Sequence, residues 1–129
     1  MTAPVLAFKT PRQAAEWGSG KVLPLAREIL LDGAAFAIAA YAWSFTLTDI
    51  YRTPAEDAAL KGHFVHPLWR AVDVRTRDRD PGEISGLAAY INGRWIYDHE
   101  RPRMLCCFTE PHGDGPHAHF QVHSHTKRR

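Results

Sequence analysis

Hydrophobic and polar positions change period several times along the 129-residue chain, and each change predicts an element. Thr10 followed by Pro11, with Glu16 in the turns behind them, predicts an N-capped short helix ending at Trp17, before Gly18-Ser19-Gly20. From Leu25 to Tyr41, Leu25, Ile29 and Leu30 recur at helical spacing, and Ala35, Ile38 and Ala39 resume it after Asp32-Gly33. One helix with a weak point at the glycine, or two short ones, fits this run. Trp43, Phe45 and Leu47 then alternate with Ser44, Thr46 and Thr48, the period of a half-buried strand. Thr53 and Pro54 predict a helix start, with Glu56 and Asp57 at its positive end and the helix reaching Leu60.

Beyond Gly62 the run from Arg70 to Arg75 predicts a strand with Ala71, Asp73 and Arg75 on one face and Val72 and Val74 on the other. Residues 75–80 form a mixed-sign surface loop. Pro81 opens a helix expected to reach about Asn92, with Ile84, Leu87, Ala88 and Ile91 as its apolar stripe and Gly93 as its stop. Two strands follow, near 103–108 and 118–123, separated by the glycine- and proline-rich segment Glu110 to Pro116. Residues 124–129 are polar and basic and are expected to be disordered. The sum is an α+β domain in which helices flank a small antiparallel sheet.

A chain of this length makes one domain, 1–129, with enough buried surface to fold without a disulfide or metal. A net charge of +2 is too small to imply nucleic acid, although a pI near 8.7 suits an anionic polymer. Cys106 and Cys107 are adjacent, so a bridge between them is strained, and they read as reduced thiols. The longest apolar run, Ala34 to Trp43, is too short to span a membrane, and the start lacks the pattern of a signal peptide. Synthesis in the cytoplasm, without membrane insertion, is the expectation.

Three residues then stand out: His66 and Asp73, separated by a short turn into a strand, and His119 on a later strand. Two imidazoles and one carboxylate leave the fourth tetrahedral position open, the arrangement of catalytic zinc. His117 and His119 share a strand face roughly 7 Å apart along it, and Gln121 and His123, of the same parity, are expected at the rim of the site.

The segments Tyr51-Arg52-Thr53-Pro54, His66-x-x-x-Arg70-Ala71-Val72-Asp73 and His117-x-His119 occur in the order found in the hedgehog/D-Ala-D-Ala peptidase fold, which the region from about Thr46 to Val122 resembles. That resemblance implies a zinc metallopeptidase acting on peptidoglycan stem peptides, in the manner of a phage endolysin or murein endopeptidase, with one Zn2+ held by His66, Asp73 and His119. It further implies that Arg52 holds a substrate carboxylate or the developing oxyanion, a task suited to a guanidinium fork. Tyr51, Trp69 and His63 are expected to line the substrate cleft.

The acid usual three positions before the last ligand is replaced by Pro116, so Asp114 is expected to act as base, with His117 assisting. Trp69 stands where a glycine is usual. The missing acid keeps a second reading open: a non-catalytic structural or binding member of the fold, with other virion proteins as partners. In either case the protein works at the cell wall or in a virion. Replacing His66 or Asp73 by Ala is expected to empty the site and leave the fold intact.

Overall fold

The computed structural model describes residues 5–60, 62, 65–110 and 116–129. The elements are β1 (Ala7–Phe8), α1 (Pro11–Gly18), α2 (Pro24–Tyr41), β2 (Thr46–Asp49), α3 (Pro54–Ala59), a 3-10 turn (His66–Leu68), β3 (Ala71–Arg75), α4 (Pro81–Arg94), β4 (Trp95–Ile96), β5 (Cys107–Glu110), β6 (His117–Gln121) and β7 (Lys127–Arg128). A five-stranded sheet runs β1-β2-β3-β6-β5, and β4 pairs with β7 in a small second sheet. The α+β class is as expected. The large sheet is mixed rather than antiparallel, because the short β1 joins β2 in parallel at its edge.

Local chemistry explains the helix starts. Thr10 and Thr53 each close a capping box, with Gln13 and Glu56 respectively returning a bond to the cap backbone. Arg12 ties the two boxes together through Glu56 at 2.9 Å and Glu16 at 2.9 Å. The expected weak point in α2 does not break it. A Cβ at Gly33 would lie 2.9 Å from the Phe120 ring, so the glycine there lets the helix approach β6 closely. Helix α4 likewise runs past its expected stop at Gly93 to Arg94. Asp32 of α2 holds that end by accepting from Arg94 at 2.8 Å, Tyr90 at 3.0 Å and the Trp95 indole at 3.2 Å.

The last residues are also ordered, against expectation. Thr126 Oγ1 donates to the Tyr97 carbonyl at 2.7 Å and accepts from the His123 amide at 2.8 Å, which docks the chain end onto β4. A polar, basic composition misled here because its anchor is backbone pairing and one buried hydroxyl, neither visible as hydrophobicity.

Alternation along β3 and β6 separates two environments. Val72, Val74, Ala118 and Phe120 join Leu47, Ile29, Leu30, Leu87 and Ile91 in the apolar core with α2 and α4. Asp73, His117, His119 and Gln121 occupy the other parity and are buried too. Cys106 and Cys107 are free and buried, and burial pushes the Cys106 thiol up to about 12 and the Cys107 thiol higher still. Among the described residues, no helix is long and apolar enough to cross a membrane.

A candidate metal centre between two central strands

Register brings the expected ligands together. Strands β3 and β6 are antiparallel with Asp73 opposite His119. The 3-10 turn carries His66 over the same place, its ring centroid 5.3 Å from that of His119. His66, Asp73 and His119 are all buried, and each offers a ligand atom within 4.8 Å of the others, a grouping able to hold a metal ion.

Hydrogen bonds fix which imidazole nitrogens carry lone pairs. His66 Nδ1 lies 2.9 Å from the Ile50 carbonyl, which only accepts, so Nδ1 carries the proton. Nε2 of neutral His66 therefore presents its lone pair. It lies 3.3 Å from Asp73 Oδ2 and, among the described residues, makes no hydrogen bond.

His119 is set by Gln121. The Gln121 amide donates to the Leu105 carbonyl at 2.9 Å, which turns its Oε1 toward His119 Nε2 at 3.2 Å. Nε2–H is then the donor, and Nδ1 faces Asp73 Oδ1 at 2.7 Å. Two neutral imidazoles would thus aim lone pairs at one carboxylate. Such an arrangement requires a proton or a cation between the groups, and three convergent N and O donors suit a divalent transition metal.

Arg52 is tied to three carboxylates of the protein itself. Its Nε bonds Asp49 at 2.7 Å, and its two terminal nitrogens bond Asp57 and Asp73, each at 3.1 Å. All three nitrogens are engaged by protein carboxylates, so Arg52 orients Asp73; each terminal nitrogen keeps one further N–H, and Arg52 lines the indentation beside the triad. A bulge in β2 sets this up by placing Asp49 opposite Asp73. Gly62 completes it: a Cβ there would collide with the Asp57 carboxylate.

Tyr51 and Trp69, expected as substrate contacts, stack on one another with centroids 4.5 Å apart. Trp69 has φ 58, which explains why glycine suits this position: a side chain in the left-handed region costs roughly 1–2 kcal/mol. The stack on Tyr51 and the Leu23 amide bonding the Trp69 carbonyl at 3.1 Å hold it there. His63 and Asp114 lie outside the described residues. His117 is brought to the site, with Nε2 3.5 Å from Asp73 Oδ2.

An indentation opens next to the buried triad, lined by Asp49, Arg52, Asp73, Arg75, Arg77 and His117, with Lys9 at its edge. Cations outnumber carboxylates there, so the approach favours an anionic group. Phe108 gives His119 an apolar neighbour, ring centroids 4.9 Å apart. Asp49 and Asp57 went unnoticed as site residues in the sequence, and Gln121 was read as a rim residue rather than as the partner that sets His119.

Burial opposes charge on His66, but the Asp73 carboxylate outweighs it and raises the imidazole above its ordinary 6.5. Burial pushes the Asp73 carboxyl up, yet His66 and His119 beside it hold it well below 3.8. The signs give a stability window for metal-free protein. The Asp73 contribution is present above 3.8 and is lost as pH falls through its depressed value; the His66 contribution is present below 6.5 and is lost as pH rises through its raised value. Denaturant titrations in chelator are expected to show this pair stabilising most between those values, with the alkaline decline absent in His66→Ala. An unchanged alkaline limb in that variant would remove His66 from the linkage.

No family model matches the chain, and comparison with curated proteins and with solved structures returns no significant match.

Proposed function

We propose that the protein is a zinc-dependent peptidase of peptidoglycan stem peptides, with His66, Asp73 and His119 as the metal ligands. The observation that carries this reading is the buried His66 Nε2, which lacks a hydrogen-bond partner among the described residues and faces a carboxylate also addressed by His119 Nδ1. When bound, such an ion supplies Lewis acidity and a water of lowered pKa. The chain's own residues hold the ligands in place: Ile50 and Gln121 fix the two imidazoles, and Arg52 fixes the carboxylate.

His117, beside Asp73 and lining the indentation, is assigned the protonation of a leaving amine in this reading. Arg75, Arg77 and Lys9 favour substrates bearing free carboxylates, which stem peptides carry. Asp114 is assigned the base from its place in the sequence, shortly before His117-x-His119.

The test is release of new amino groups from purified peptidoglycan by zinc-loaded protein. Asp114→Asn is expected to keep zinc and lower the rate by at least about 10²-fold, and His117→Ala to lower it by a smaller factor with zinc retained. Full activity in Asp114→Asn would move the base elsewhere. Zinc binding with no hydrolysis of any wall type would favour the alternative, a non-catalytic structural or binding protein of a virion, for which the proline at position 116 speaks.

A further inference from the structure

We infer that Asp98, His123 and His125 form a second, peripheral transition-metal site that fastens the chain end to the segment after β4. Asp98 is buried, while His123 and His125 stand partly open to solvent above it. His125 Nδ1 lies 3.2 Å from Asp98 Oδ1, and His123 Nδ1 lies 3.8 Å from Oδ2. All three offer ligand atoms within 4.8 Å of one another. Donors at about 2.0–2.2 Å from a tetrahedral ion stand roughly 3.3–3.6 Å apart, close to the two distances between Asp98 and the imidazoles.

The framework holds these residues independently of any ion. Thr126 bonds both the Tyr97 carbonyl and the His123 amide, and the Glu100 amide at 3.0 Å and Arg101 Nε at 2.8 Å fix the Asp98 carboxylate. Two contacts oppose binding. Arg101 places a cation on Oδ2, and His123 Nδ1 already accepts the His125 amide at 3.2 Å. The second contact exchanges readily for water because His125 is exposed. Imidazole and carboxylate donors with an open side select zinc, copper or nickel over magnesium or calcium, and the opposing Arg101 makes the site weaker than the buried one.

Zinc titration of the full chain in competition with a chromophoric chelator tests this, with folding of each variant checked by circular dichroism. Wild type is expected to bind one ion tightly and another more weakly. The double variant His123→Gln/His125→Gln should keep only the tight ion, His66→Ala only the weak one, and His125→Ala alone should weaken the peripheral ion at least about tenfold. Retention of both ions by the double variant, or a wild-type stoichiometry consisting solely of the ion lost in His66→Ala, would overturn the site. A single ion lost in the double variant and kept in His66→Ala would support it while removing the central one.

Discussion

His66→Ala is expected to fold and to lose both zinc and peptidoglycan hydrolysis. Its imidazole is fully buried, bonds the Ile50 carbonyl through Nδ1 and faces Asp73 Oδ2 at 3.3 Å through Nε2. Truncation leaves that carbonyl without its partner, at a cost of about 1–3 kcal/mol, removes one neighbour of Asp73 and opens a cavity, but Asp73 keeps Arg52 and His119, so a domain with roughly 5–15 kcal/mol of stability still folds. Residues that merely orient metal ligands are worth about 10–100-fold in affinity or activity, so removal of a ligand should exceed about 10²-fold in both. Thermal melting followed by zinc and turnover assays checks this. Wild-type turnover in a folded, zinc-free variant would separate the activity from the site.

Asp73→Ala should behave very differently, and the expectation that it leaves the fold intact is revised. Asp73 is buried at 1% exposure, where it bonds Arg52 and His119 and lies 3.3 Å from His66. Its loss leaves a buried guanidinium with two of its three carboxylates and two buried imidazoles without the carboxylate they face. Breaking a buried ion pair from one side costs about 3–5 kcal/mol, a large share of the total, and the alanine adds a cavity. Denaturant unfolding is expected to show that loss in chelator as well as in zinc, because the Arg52 network exists without an ion. A change below about 1 kcal/mol would mean that the network contributes little to the fold.

The residues that were legible in the sequence are those whose signals are local. Thr10-Pro11 and Thr53-Pro54 announced their helices because capping chemistry acts within one turn. The strand parity of Asp73, and of His117 with His119, followed from alternation, whereas the pairing of Asp73 with His119 is set by the register of β3 against β6. What escaped depends on contacts between distant segments. Asp49 stands opposite Asp73 through a one-residue register shift in β2, with Asp57 joining them on Arg52 from α3, and nothing in the local pattern marks such a shift. Arg52 was therefore noticed only as a substrate clamp, and the three internal carboxylates it holds were not. Trp69 read as a departure from glycine, whereas its left-handed backbone shows why that position favours one. His123 shared the parity of His117 and His119 but turns away with the chain after β6 to join Asp98.

The central claim is that His66, Asp73 and His119 bind a catalytic zinc ion. Elemental analysis after dialysis against zinc and then against a weak chelator addresses it most directly, applied to the His123→Gln/His125→Gln protein so that the peripheral group does not contribute. One zinc per chain is expected in that background, and none once His66→Ala is added. Full zinc occupancy surviving the His66 substitution in folded protein, or no retained zinc before it, would contradict the assignment.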